Sequence, residues 1–237
     1  MLGSVKLTGP NGRNAWTIWQ GATPLGVFFP LVELEAAGTP RIRPDTARIT
    51  AVARNARRTI VDMILSRAGQ DGSGGGTSST NTAELFESGW RFVIPSKGSW
   101  MACSCLWIRN TSSKPWKLLG IHHCVLPASD AQRVASTSLL EGMPNYYRSG
   151  AAWVNSAANN GVGCWFADEK AFRCLFWKDS QGILHSELRQ VLRKTLKPGE
   201  KMEVKGPPSF VFPMLHASLT SFSDVVAEIE KTALTGK

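Results

Sequence analysis

A mainly β fold is predicted for this chain: a β-sandwich or jelly-roll-like core with about three peripheral α-helices. Three observations carry that prediction. Two long apolar runs between Trp90 and Leu126 flank the polar break Asn110-Thr-Ser-Ser-Lys-Pro115, as buried strands joined by a turn would. Residues 100–109 are apolar on both alternating faces, the mark of a strand covered on both sides. Further short runs rich in Trp, Val, Phe and Cys recur between Ala151 and Phe212, separated by turn residues.

Residues 1–45 are punctuated by Gly9-Pro10-Asn11-Gly12, Pro24, Pro30, Pro40 and Pro44, with short apolar pieces between. They are expected as an extended N-terminal arm carrying one or two short strands and reaching a neighbouring subunit, so that the chain forms a homo-oligomer. Thr46–Gln70 is expected as a basic amphipathic helix. Ile49, Val52, Ala53, Ala56, Ile60, Met63 and Ile64 recur at helical spacing, with Asp45 as N-cap and Gly69 as stop. Five Arg and one Asp between 46 and 70 give that segment a charge of +4. Arg48, Arg54 and Arg58 fall opposite the stripe, and Arg57 flanks it. Residues 71–84 (DGSGGGTSSTNT and its end) form a flexible linker by composition. No Lys-Ser/Thr follows its glycines, so it is no phosphate loop.

Residues 85–237 are expected to hold the sandwich domain, with its stranded core from about 85 to 215. The two runs about Pro115 are expected to pair as a hairpin. Asp130–Leu140 suits a short helix. Ala151–Val154, Val162–Ala167 and Ala171–Lys178 suit strands, the last two meeting at Asp168-Glu-Lys170. Ser186–Leu196 suits a helix ended by Lys197-Pro198-Gly199, and Phe222–Leu234 a closing helix capped by Ser221 or Ser223.

The 237 residues carry 43% hydrophobic and 19% charged side chains, a globular balance, and a net charge of +9. That charge favours anionic partners: nucleic acid, with RNA ahead of DNA, or an anionic membrane surface. The first residues lack the basic start and apolar stretch of a signal peptide, and no apolar run approaches the ~20 residues of a membrane-spanning helix. A cytoplasmic or virion location is the expectation. Five cysteines, without framework spacing, are then expected reduced.

Two constellations carry chemistry. If Arg109 pairs with Trp116, Cys103 faces His122 and Met101 faces Cys124, so Cys103, Cys105, His122 and Cys124 share one face and could hold zinc. Otherwise the cysteines are small buried hydrophobes and no cofactor is expected. Arg48, Arg54, Arg57 and Arg58 could neutralise phosphates, or meet lipid headgroups while the apolar stripe enters the bilayer. No nucleophile elbow, His-Glu-x-x-His pair or dinucleotide fingerprint occurs, which argues against an enzyme.

The order of helix, linker and strand ending Ile108-Arg-Asn-Thr-Ser-Ser-Lys-Pro-Trp116, with Gly161-Val-Gly-Cys-Trp-Phe166 and Leu175-Phe-Trp177, resembles actinoporin-type pore-forming toxins. That resemblance implies a membrane-active cationic protein. The toxins' Tyr-rich headgroup cluster has no counterpart, since Phe176-Trp-Lys-Asp179 stands there and the chain has two Tyr. Arm, basic segment and sandwich are similar in plan to small-virus coat proteins. A basic, self-associating nucleic-acid-binding structural protein is therefore the first expectation. A membrane-active protein is the second, and a zinc-stabilised adaptor the third.

Overall fold

The computed structural model describes residues 5–8, 16–20, 22–35, 41–67, 86–97, 100–127, 131–136, 146–147, 150–155, 160–167, 172–178, 184–214 and 219–234. They build two antiparallel sheets packed face to face. One sheet holds β1 (Val5–Thr8), β2 (Trp16–Gln20), β3 (Thr23–Leu34), β4 (Arg41–Ile42), β9 (Trp116–Pro127), β11 (Tyr146–Tyr147), β14 (Phe172–Lys178) and β15 (Leu184–Leu196). Its order is β1-β2-β3-β9-β15-β14-β11, with β4 against β3. The other holds β5 (Thr46–Arg54), β6 (Arg58–Arg67), β7 (Phe86–Pro95), β8 (Met101–Asn110), β10 (Ala131–Ser136), β12 (Gly150–Asn155), β13 (Asn160–Phe166), β16 (Lys201–Glu203) and β17 (Ser209–Met214). Its order is β10-β12-β13-β17-β8-β7-β6-β5, with β16 against β8.

The core between the sheets interleaves Trp16, Ile18, Phe28, Ile121, Val125 and Leu188 of the first with Met63, Leu65, Trp90, Phe92, Met101, Cys103, Val162 and Val211 of the second. Trp16, Phe28 and Phe92 pack as a triangle of rings with centroids 5.5–6.1 Å apart. Each such side chain, taken out of water, stabilises the fold by about 1.5–3 kcal/mol. A second apolar layer lies on the outer face of the second sheet. There Val225 and Ile229 of the one described α-helix, α1 (Leu219–Ile229), cover Trp100, Trp165, Phe210 and Phe212.

Several expectations change. The mainly β sandwich stands, but among the described residues there is one α-helix rather than three. The segment 46–67 is a β-hairpin: β5 and β6 pair from Thr46↔Ser66 to Arg54↔Thr59. Asn55 makes its turn, its Oδ1 accepting the N–H groups of Arg57 and Arg58 at 2.8 and 2.9 Å. The segment 186–196 is strand β15, with a bulge between Val191 and Lys194 where Arg193 takes a positive φ of 48°. Residues 131–136, expected as helix, form β10.

The described residues between 5 and 45 are not a detached arm. They supply β1 to β4, and Trp16, Ile18 and Phe28 fill the chain's own core. The expected linker, 71–84, lies outside the described residues. The closing helix is present and continues into a π-helical turn, Glu230–Leu234. The strands expected at 151–178 are present as β12, β13 and β14. β13 and β14 belong to different sheets, so they do not form the expected hairpin.

The second sheet relies on rings lying over glycines. A methyl group added to Gly163 would overlap the ring of Phe212, its cross-strand partner, and one on Gly89 would overlap Trp107. Backbone and ring thus approach as only glycine permits. Gly163→Ala is expected to lower unfolding free energy in urea by about 1–3 kcal/mol through overpacking. An unchanged midpoint would contradict that packing.

Candidate functional site

The hairpin β5–β6 is the edge of the second sheet, and its outer strand β5 is far more exposed than its inner strand β6. Leu65 is fully buried and Met63 is 3% exposed, whereas Val52 is 52% and Ile49 54% exposed. β6 is held along its whole length, pairing β7 over ten consecutive residues from Arg58↔Pro95 to Arg67↔Phe86. Two further backbone bonds fix the tip: Asn55 N–H donates to the Arg58 carbonyl at 3.0 Å, and Ser96 N–H to the Arg57 carbonyl at 2.8 Å.

Arg48, Arg54, Arg57 and Arg58 all lie exposed on this hairpin. Directly paired residues share a face, so Arg48 (opposite Ile64) and Arg58 stand on the outer face with Asp62. Arg54, opposite Thr59, stands on the other face beside Val52. Among the described residues none of these four guanidinium groups forms an ion pair. Arginines nearby and elsewhere do. Arg91 grips Asp62 through both nitrogens at 2.7 and 2.8 Å, Arg67 is 3.7 Å from Asp45, Arg109 is 3.7 Å from Glu87, and Arg189 is 2.6 Å from Glu33.

Beneath the tip a groove of about 560 Å³ runs along the outer face of the second sheet. Its exposed lining is Asn55, Arg57, Arg58, Lys97 and Thr232, and its apolar side is Val93, Pro95, Trp100, Ala102, Pro208 and Phe210. Among the described residues, three cations and no carboxylate line it. The sequence reading does not single out Lys97 and Trp100 as ligand-facing residues. A lysine in a turn three residues before a tryptophan is the available signal.

The four candidate metal ligands do not converge. β8 and β9 lie in different sheets: Arg109 pairs Glu87 and Lys201, and Trp116 pairs Leu196. Cys103 and Cys105 point into the core between the sheets. His122 and Cys124 lie on the far side of the first sheet, because Ile121 and Val125, their alternating neighbours, face that core. Burial also pushes the Cys103 and Cys105 thiols well above their ordinary range, against the thiolate a metal needs. Among the described residues no group of three or more His, Cys, Asp or Glu is arranged to hold a metal.

His122 instead joins a buried ion network. Its Nδ1 is 2.7 Å from Glu187 Oε2 and its Nε2 is 3.0 Å from Glu33 Oε2. Burial opposes a charge there, but the two hydrogen bonds and two negative charges outweigh it, and the pKa lies above the ordinary imidazole value. With a carboxylate on each nitrogen, both nitrogens donate, and the ring is an imidazolium. Burial likewise raises the Glu33 carboxyl, while His122 and Arg189 together bring it below its ordinary value. The next residue behaves oppositely. His123 sits between the sheets against Trp90 (4.9 Å), donates from Nδ1 to Ser209 Oγ at 2.6 Å, and burial pushes its pKa down to about 3.

No protein-family model matches the chain, and no curated protein matches it. Among solved structures it is similar to the α-N-acetylgalactosaminidase NagBb from Bifidobacterium bifidum in complex with GalNAc, with a TM-score of 0.52 and 9% identity. The likeness covers 98% of this chain and 38% of that one. At that identity the likeness concerns the β-sandwich fold alone.

The ion network sets a pH dependence. His122, with its pKa raised, contributes stability that is complete below the unfolded imidazole value of about 6.5 and is lost as pH rises through the folded value. Glu33, with its pKa lowered, contributes above the unfolded carboxyl value and is lost as pH falls through the folded one. The loss of stability in His122→Gln is therefore expected to be largest near about pH 5–6 and to shrink toward about pH 9. Urea denaturation across that range measures it, and a loss that grows with pH would contradict the assignment.

Proposed function

We propose that this chain is a non-enzymatic, basic, self-associating protein that binds nucleic acid, RNA ahead of DNA, with a small-virus coat protein of jelly-roll-like plan as the specific form. One observation carries the reading. Four arginines stand exposed on an edge hairpin with no carboxylate partners among the described residues, while Arg91, Arg109 and Arg189, set in the sheets, are each paired with a carboxylate. Guanidinium groups held ready and unpaired gain most from phosphate, whose contact releases counterions. The net charge of +9 supports the same reading.

The N-terminal segment, expected to mediate self-association, fills the chain's own core, so we ascribe self-association instead to the β5 edge. An edge strand offers unpaired backbone groups, and this one carries the exposed Ile49 and Val52. The same two side chains beside Arg54 also favour the second reading, a membrane-surface protein. Among the described residues no helix is long and apolar enough to cross a membrane.

Replacing Arg48, Arg54, Arg57 and Arg58 by Gln is expected to abolish RNA binding at moderate salt. Partial replacements are expected to flatten the salt dependence of the affinity by about 0.7 for each phosphate that is no longer neutralised. Fluorescence anisotropy with labelled RNA checks both, and unchanged binding would overturn the proposal. Ile49→Lys with Val52→Lys keeps the positive charge. It is expected to lower the assembled mass in light scattering while RNA binding persists. In liposome flotation the wild-type protein is expected to stay unbound on anionic and zwitterionic vesicles alike; flotation with anionic vesicles would favour the second reading.

A further inference from the structure

We infer that the groove beneath the hairpin tip is a site for one unpaired nucleotide of a single-stranded nucleic acid, phosphate at the cationic rim and base against the apolar wall. This rests on the nucleic-acid reading above and goes beyond it, since phosphate contacts alone do not distinguish single strands from duplexes.

The groove is divided as a nucleotide is. Arg57, Arg58 and Lys97 stand along the open rim, where a phosphate would sit in reach of water and cations. The half-buried Val93, Pro95 and Pro208 make the wall with the small exposed part of Trp100, which is backed edge-on by the buried Phe210 with centroids 5.6 Å apart. The volume of about 560 Å³ lies within the roughly 300–1,000 Å³ usual for a small-ligand site. The rim is preorganised. Asn55 Oδ1 is taken up by the turn it makes, which leaves its Nδ2 amide for a ligand, and the Arg57 carbonyl is tied to Ser96.

Charge and shape then select the ligand class. Among the described lining residues, three cations without a carboxylate suit a phosphate, and the apolar side of Val93, Pro95, Pro208 and Trp100 suits a base. A base within a duplex is stacked and paired, so it cannot present its plane to a concave wall; an unpaired base can. The exposed arginines higher on the hairpin, Arg48 and Arg54, would serve either form of nucleic acid.

The test compares a labelled single-stranded oligouridylate with a labelled RNA hairpin duplex by fluorescence anisotropy. Lys97→Glu changes an exposed residue outside the four arginines, and Lys114→Glu, in the exposed turn after β8, matches its charge. Lys97→Glu is expected to weaken the single strand by about tenfold, with the duplex changing no more than it does in Lys114→Glu. Ultraviolet cross-linking of the bound oligouridylate is expected to mark peptides holding Trp100 or Phe210. Equal losses for both ligands, or cross-links confined to other peptides, would overturn the groove assignment and leave the nucleic-acid reading standing. If the wild-type protein binds neither ligand, the nucleic-acid reading fails, and the groove assignment with it.

Discussion

The pairing of β6 with β7 is the constraint on which the functional surface depends. Ten consecutive residue pairs run along it without a register shift. Met63, Leu65, Trp90 and Phe92 drive its inner side into the core. The strand is anchored along its whole length, the tip included, since Arg58 pairs Pro95 and Ser96 N–H donates to the Arg57 carbonyl. The hairpin's arginines Arg48, Arg54, Arg57 and Arg58 are thereby held at the sheet edge, where among the described residues they form no ion pair. Asp62 shows the alternative nearby: it lies on the outer face of β6 and is occupied by Arg91.

Polar groups inside the sandwich act on specificity more than on net stability. His123 and Ser209 link β9 to β17 across the two sheets, and Ser209 Oγ donates in turn to the Cys103 carbonyl at 3.2 Å. Any slip of one sheet over the other would strand these groups without partners, at a cost of about 1–3 kcal/mol each. On the far side of the first sheet the charges of His122, Glu33, Glu187 and Arg189 balance in sign. Removing one member would leave its partner charged and buried, which costs more than the network itself contributes. Two adjacent histidines thus hold opposite charge states, because alternation along β9 sends one into an apolar core and the other among carboxylates.

The sandwich class was legible because buried strands are rich in Trp, Val, Ile, Phe and Cys, and β7, β8, β9, β13, β14 and β17 lie close to the runs that composition marks. Two of the three false helices have physical explanations. In 186–196, Leu188, Leu192 and Leu196 recur every four residues. Four is one helical turn and also two strand repeats, so period alone could not decide. In 46–67, an apparent helical stripe spanned a turn: Thr59, Val61, Met63 and Leu65 alternate cleanly, and Asn55 interrupts the pattern. The β-branched residues Ile49, Thr50, Val52, Thr59, Ile60, Val61 and Ile64 were the overlooked signal. The arginine candidates kept their exposure because charge drives those side chains to water in either conformation. The zinc quartet failed because strand pairing across the sandwich cannot be read locally. Glu33 and Glu187 lie 89 and 65 residues from His122, so the network that replaces it left no local trace.

Hydrogen–deuterium exchange with and without bound RNA tests the central claim most directly, since it maps the contact surface on the intact protein. Slowed exchange confined to residues 46–58 and 93–102 is the predicted result. Protection confined to the first sheet, around β3, β9 and β15, with the hairpin unchanged, would contradict it.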